Sequence, residues 1–224
     1  MKKGKIILFI VLIFIIIVGG VAVWQRDNIK AVIDSFNYSE EELSSMITGN
    51  KEALEAELKK KYDIVGDFTE EDEKKIMSGE ISVEEAVEKK LKELDEINKQ
   101  NDKIAPEVKK KTDKIVSEKI IEFYSLKAYY LGQLGQMEAR VKADYMALPE
   151  EKQNLVGKKE LVSKYMSVAT SLLNQCDAKV DALTKEMEAE IKAVGGDLSI
   201  IKLVKEAYEN EKNLKKSYYI SKLK

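Results

Sequence analysis

Spacings of four and three residues recur along most of this chain. Val116, Ile120, Phe123, Lys127, Tyr130, Leu134, Met137 and Val141 follow that rhythm, and Lys127 alone among them is charged. A second run repeats it through Val162, Met166, Ala169, Leu173, Cys176, Val180, Leu183, Met187, Glu190 and Val194, with Glu190 as its exception. An apolar position every 3.5 residues or so is the seam of one helix packed on another. The stretch "LPEEKQNLVG" separates the two seams, and long helices joined by about ten residues pack antiparallel. The pattern therefore predicts an elongated, coiled-coil-like hairpin, with helices roughly 60 and 55 Å long at ~1.5 Å per residue. "GGD" at Gly195–Asp197 ends the second helix. A last one follows with Ile200, Val204, Ala207, Leu214 and Tyr218 on one side and Glu211 interrupting.

Ahead of the hairpin the periods are shorter and the punctuation is denser. Ser39 with Glu42, and Ser82 with Glu85, have the spacing of a capping box. Thr69 precedes an acidic first turn, which suits the positive end of a helix dipole. With Gly49 read as a stop and Asn50 as a fresh cap, residues 39–80 divide into three short helices. A longer one opens at Ser82 and carries Val83, Val87, Leu91, Leu94 and Ile97. Pro106 marks the next boundary. The expected fold is all-α, a hairpin or three-helix bundle with the final helix and residues 83–103 on its flank.

The first residues break this pattern. Lys2, Lys3 and Lys5 precede "IILFIVLIFIIIVGGVAV", Ile6 to Val23, 18 residues without a polar side chain, and Trp24 and Arg26 follow. Such a run spans about 27 Å as a helix, close to a bilayer core, and flanking lysines stay in the cytoplasm. Residues 6–24 thus read as a single-pass signal anchor that contacts the lipid bilayer, with residues 1–5 inside and the rest outside. The competing reading is a cleaved signal peptide, with Val18 and Gly20, or Gly20 and Ala22, before the cut; its apolar region is usually shorter than this one. No Cys follows the run as in a lipoprotein. The Gly–Phe processing site and inner Glu of type IV pilins are also missing. Residues 25–38 form a juxtamembrane stalk, with Ile29, Val32, Ile33 and Phe36 at helical spacing up to about Asn37 and a need for lipid or protein against them. An acidic short-helix region (39–103) and the antiparallel bundle (107–224) complete the organisation.

Composition narrows the chemistry. The 224 residues include no His and one Cys, which removes Ser-His-Asp and Cys-His catalysis, His-containing zinc sites and internal disulfides. Cys176 lies in the second seam beside Asp177, where a thiol behaves as a small apolar residue and a carboxylate opposes thiolate formation. No phosphate-binding glycine loop is present. Asp63, Asp67, Glu70, Glu71, Asp72 and Glu73 come nearest to a calcium site, but they lack the EF-hand spacing and central Gly and read as exposed acidic helix starts. Residues 40–100 hold 19 Asp and Glu against 10 Lys, while the chain as a whole carries −2, which gives no electrostatic case for a nucleic-acid partner. Tyr124, Tyr129, Tyr130, Tyr145 and Tyr165 gather along the hairpin, and "KNLKKSYYISKLK" closes the chain with five lysines and no acid. The tyrosines read as helix-interface residues and the lysines as a solvated helix end; recognition of a partner, or of anionic lipid by the lysines, is the functional alternative.

No catalytic, cofactor-binding or metal-ligating residue is assigned. The expected function is a non-enzymatic one: an anchored extracytoplasmic bundle that interacts or scaffolds through its helical faces, with a protein partner or with itself. The alternative is an extracytoplasmic ligand-binding or sensor-type domain that works through a membrane partner.

Overall fold

The computed structural model describes residues 26–62, 64–100 and 107–221. All regular structure among them is helical: α1 (Arg26–Asn37), α2 (Glu40–Lys61), α3 (Glu70–Ser78), α4 (Val83–Gln100), α5 (Glu107–Met146), α6 (Leu155–Ala193) and α7 (Ser199–Ser221), with a 3-10 turn at Glu150–Lys152. The apolar run at 6–24 lies outside the described residues. Among those described, no helix is long and apolar enough to cross a membrane.

Contacts divide the chain into two compact units, one of residues up to Leu54 together with those from Leu203 on, the other of Glu55–Lys202. In the larger unit α5 and α6 pack along each other and run antiparallel. Asp144 meets Lys164 and Tyr165 near the turn, and Lys119 meets Glu186 and Glu190 far from it. Local chemistry fixes both ends of α6. Asn154 accepts hydrogen bonds from the backbone N–H of Val156 and Gly157 at 2.8 and 3.3 Å, closing the N-terminus. Gly195 takes a left-handed φ of 72°, so that Gly196 N–H can reach back to the Ile191 carbonyl at 2.9 Å.

The buried positions on α6 are Val180, Leu183, Thr184, Met187 and Ile191. The seam thus passes through Ile191 where the spacing gave Glu190, which stays exposed. Thr184 is tolerated inside because its hydroxyl donates to the Val180 carbonyl of its own helix. Helix α5 differs more from expectation, since it buries a second stripe: Ser117, Ile121, Tyr124, Ala128 and Leu131. This stripe continues to Gly135, where α3 ends against α5. A Cβ at Gly135 would collide with the Met77 carbonyl oxygen, and one at Gly132 would touch Val83 at 3.6 Å. Both α3 and α4 pack on α5.

The capping boxes form as read. Ser39 and Glu42 exchange hydrogen bonds, as do Ser82 and Glu85, and Thr69 pairs with Asp72. Two expectations change. Gly49 does not end a helix: α2 runs from Glu40 to Lys61, because Gly49 keeps an ordinary helical backbone and Asn50 turns its side chain to the Ala207 carbonyl at 3.4 Å instead of capping. Residues 39–80 are therefore two helices, not three. On α1, which ends at Asn37 as expected, Ala31 and Ser35 are the fully buried residues, while Ile33 and Phe36 are exposed.

The two helical glycines should respond oppositely to alanine. Nothing stands within 4 Å of a Cβ at exposed Gly49, so Gly49→Ala should stabilise by about 0.5–1 kcal/mol through helix propensity. Gly135→Ala has the same propensity gain but collides with α3, and a net loss of about 1–2 kcal/mol is expected. Thermal melts of the two variants check this; a higher melting temperature for Gly135→Ala would contradict the close approach of α3 to α5.

Candidate functional site

The segment between α2 and α3, "YDIVGDFT", is the one described stretch of extended chain that lies deep in the larger unit. Tyr62, Ile64, Val65 and Phe68 are each 6% exposed or less. Buried non-helical backbone needs partners for its polar groups, and side chains of four helices supply them. The N–H of Asp67 donates to Glu55 of α2 at 2.7 Å. Its carbonyl accepts from Lys90 of α4 at 3.2 Å. Its carboxylate accepts from Lys127 of α5, which also pairs with Glu73 of α3 at 3.0 Å. Tyr124 of α5 donates its hydroxyl to the Val65 carbonyl at 3.2 Å, and its ring lies 5.9 Å from that of Phe68. Lys90 in turn sits over the Phe68 ring, 5.6 Å from its centre, and pairs with Glu93 at 3.0 Å.

The charges of this cluster are well shielded. The side chains of Lys127, Asp67 and Glu73 are 16, 11 and 13% exposed, so their mutual attraction is screened far less than that of a surface pair. Asp67 and Glu73 thus belong to a buried clamp, which corrects their reading as exposed helix starts. Lys127 supplies the cation between them. The remaining acids of the group are placed separately. Asp72 is 9% exposed and caps α3. Burial pushes its carboxyl pKa up, but hydrogen bonds from Lys89 and Thr69 outweigh this and hold it below the usual range. Glu71 pairs with Lys75 at 2.6 Å on the surface. Asp63 lies outside the described residues.

A second charge cluster joins α5 to α6. Lys119, 8% exposed, faces Glu122, Glu186 and Glu190 at 3.0, 3.5 and 3.2 Å. Burial alone would lower its pKa; the hydrogen bonds to Glu122 and Glu190 reverse that and raise it above the ordinary lysine value. Glu190, the polar exception of the second seam, therefore has its counter-ion on the facing helix.

Cys176 is half-buried on α6. Tyr130 stands close enough that the thiolate charge would act on it. Burial first, then Cys176, pushes its hydroxyl pKa up. The tyrosines do not form one surface. Tyr124 is internal, Tyr129 is exposed and edge-on to Tyr130, and Tyr165 donates to Asp144 at 2.8 Å near the turn. In the last helix Lys212 pairs with Glu209 and Lys215 with Glu211, at 2.7 and 2.9 Å.

Sequence reasoning passed over Glu55 and Lys90. A signal for Lys90 exists: Val83, Val87, Lys90, Leu94 and Ile97 keep a strict 4, 3, 4, 3 spacing. Lys90 is 5% exposed, while Leu91, assigned to that face, is 46% exposed. Chemically, the cluster around Asp67 holds a backbone turn by matched charges. Comparison of the chain with protein-family models, with curated proteins and with solved structures gives no match.

If Lys127 neutralises Asp67 and Glu73, its loss leaves two shielded carboxylates facing each other. Lys127→Met should then cost about 3 kcal/mol. Adding Asp67→Asn should restore about 1–2 kcal/mol of that, although Asp67→Asn alone is destabilising. A double-mutant cycle by urea denaturation measures the coupling, and simple additivity would contradict the clamp.

Proposed function

We propose that this chain is a single-pass membrane protein that displays a non-enzymatic, all-helical interaction module outside the cytoplasmic membrane. One observation carries the reading: three lysines stand before an uninterrupted 18-residue apolar run, with Trp24 and Arg26 after it. That order matches a retained N-in anchor, and everything described beyond it is helical. The absence of His from the sequence supports a role in binding over catalysis by the common nucleophile–base pairs.

The larger unit offers a place for a partner. At the turn end of the hairpin, Met146 and Val156 are 67 and 65% exposed on either side of the 3-10 turn. Large apolar side chains at the tip of a stiff helical pair suit docking of a protein partner or a second copy. Lys164, Asp144 and Tyr165 form a polar rim beside them.

Protease added to intact spheroplasts should digest the chain beyond residue 26 and leave a membrane-embedded stub of the native N-terminus. Protection of the helical region would contradict its placement outside. A mature chain beginning near Val21 would contradict the retained anchor.

A further inference from the structure

Helix α1 buries one side completely and exposes large apolar residues on the other. Ala31 and Ser35 are 0% exposed, whereas Ile33 and Phe36 are 52 and 59% exposed. Lys30, one turn before Ile33, is exposed too, and residues 30, 33 and 36 stand in one row because residues three apart neighbour each other on a helix. The side away from the protein thus combines a cation with an aliphatic and an aromatic residue. That composition suits the boundary between lipid headgroups and acyl chains. Position in the chain selects the occupant. Only Trp24 and Gln25 separate the last apolar residue, Val23, from the start of α1 at Arg26.

From these observations we infer that α1 lies along the outer membrane surface, with Ile33 and Phe36 inserted into the headgroup layer and Lys30 among the lipid phosphates. The inference rests on the anchor reading above and adds an orientation to it. Phe36 is 13 residues beyond Val23, or about 20 Å of helix, whereas the headgroup region is only roughly 5–8 Å deep on each side. A stalk standing upright would carry Phe36 clear of the lipid; a helix lying flat keeps both side chains in it. The buried Ala31 and Ser35 side then faces away from the membrane. Insertion of the other face places the smaller unit at the bilayer.

The test uses the full chain in anionic vesicles, with Cys176→Ala as background so that one cysteine can be introduced and labelled with an environment-sensitive fluorophore. Leu12→Cys reports on the anchor, Phe36→Cys on α1, and exposed Tyr129→Cys on the water-facing bundle; Ile33→Cys repeats the α1 measurement one turn earlier. Nitroxide lipid labelled near the headgroup should quench Phe36→Cys and Ile33→Cys at least twofold more than Tyr129→Cys. Lys30→Glu should weaken that quenching. Quenching at Leu12 with none at Phe36 or Ile33 overturns the surface orientation and leaves the anchor standing. In that case, access by aqueous iodide means an upright stalk, and shielding from both quenchers means that a protein covers α1. No lipid quenching at Leu12 overturns the anchor reading, and this inference with it.

Discussion

Helix α5 is buried on two sides, and the larger unit is arranged around that fact. One side packs on α6; the other receives α3, α4 and the extended segment before them. A helix that serves two partners must carry two stripes. The residues of the second, Ser117, Ile121, Tyr124, Ala128 and Leu131, are 8% exposed or less. Their small members let neighbouring backbone come close, and Gly135 extends this to direct contact with the end of α3. Burial on both sides removes more apolar surface from water than a hairpin seam alone, and that burial is the main favourable term in holding such a unit together.

The cost of this arrangement falls on the extended segment. Its apolar side chains enter the core and take backbone N–H and C=O groups with them, which would be unfavourable without partners. Glu55, Lys90, Lys127 and Tyr124 supply those partners from three helices, and Asp67 is held at its nitrogen, its carbonyl and its carboxylate. The clamp is thus a consequence of the second stripe. Lys119 plays the matching part on the first side, where it draws Glu186 and Glu190 of α6 to α5. Both polar exceptions to the seams, Lys127 and Glu190, are members of these ion clusters.

Much of this was legible in the sequence, for definable reasons. Capping boxes involve residues three apart, so Ser39, Thr69 and Ser82 mark helix starts without any tertiary information. The antiparallel hairpin follows from two long periodic runs and a short connection. The double burial of α5 was harder to see because its second stripe is built from Ser, Ala, Tyr and Gly as well as Ile and Leu, and small residues raise no hydrophobic signal. Lys90 was overlooked because a lysine between Val87 and Leu94 looks solvated until the backbone carbonyl it serves is known. Gly49 misled because glycine marks a helix end only where the left-handed backbone is needed, as at Gly195. The clamp residues Glu55 and Asp67 are 12 positions apart and are joined only through the fold.

Hydrogen exchange along α5 tests the double burial most directly. From Val116 to Leu131 both sides of the helix are covered, whereas none of residues 136–146 is buried. Amides in 116–131 should exchange slowest, and those in 136–146 at least roughly tenfold faster, equivalent to a difference of about 1.4 kcal/mol in opening free energy. Equal protection along the whole helix, or slower exchange toward the turn, would contradict the two-sided packing of α5.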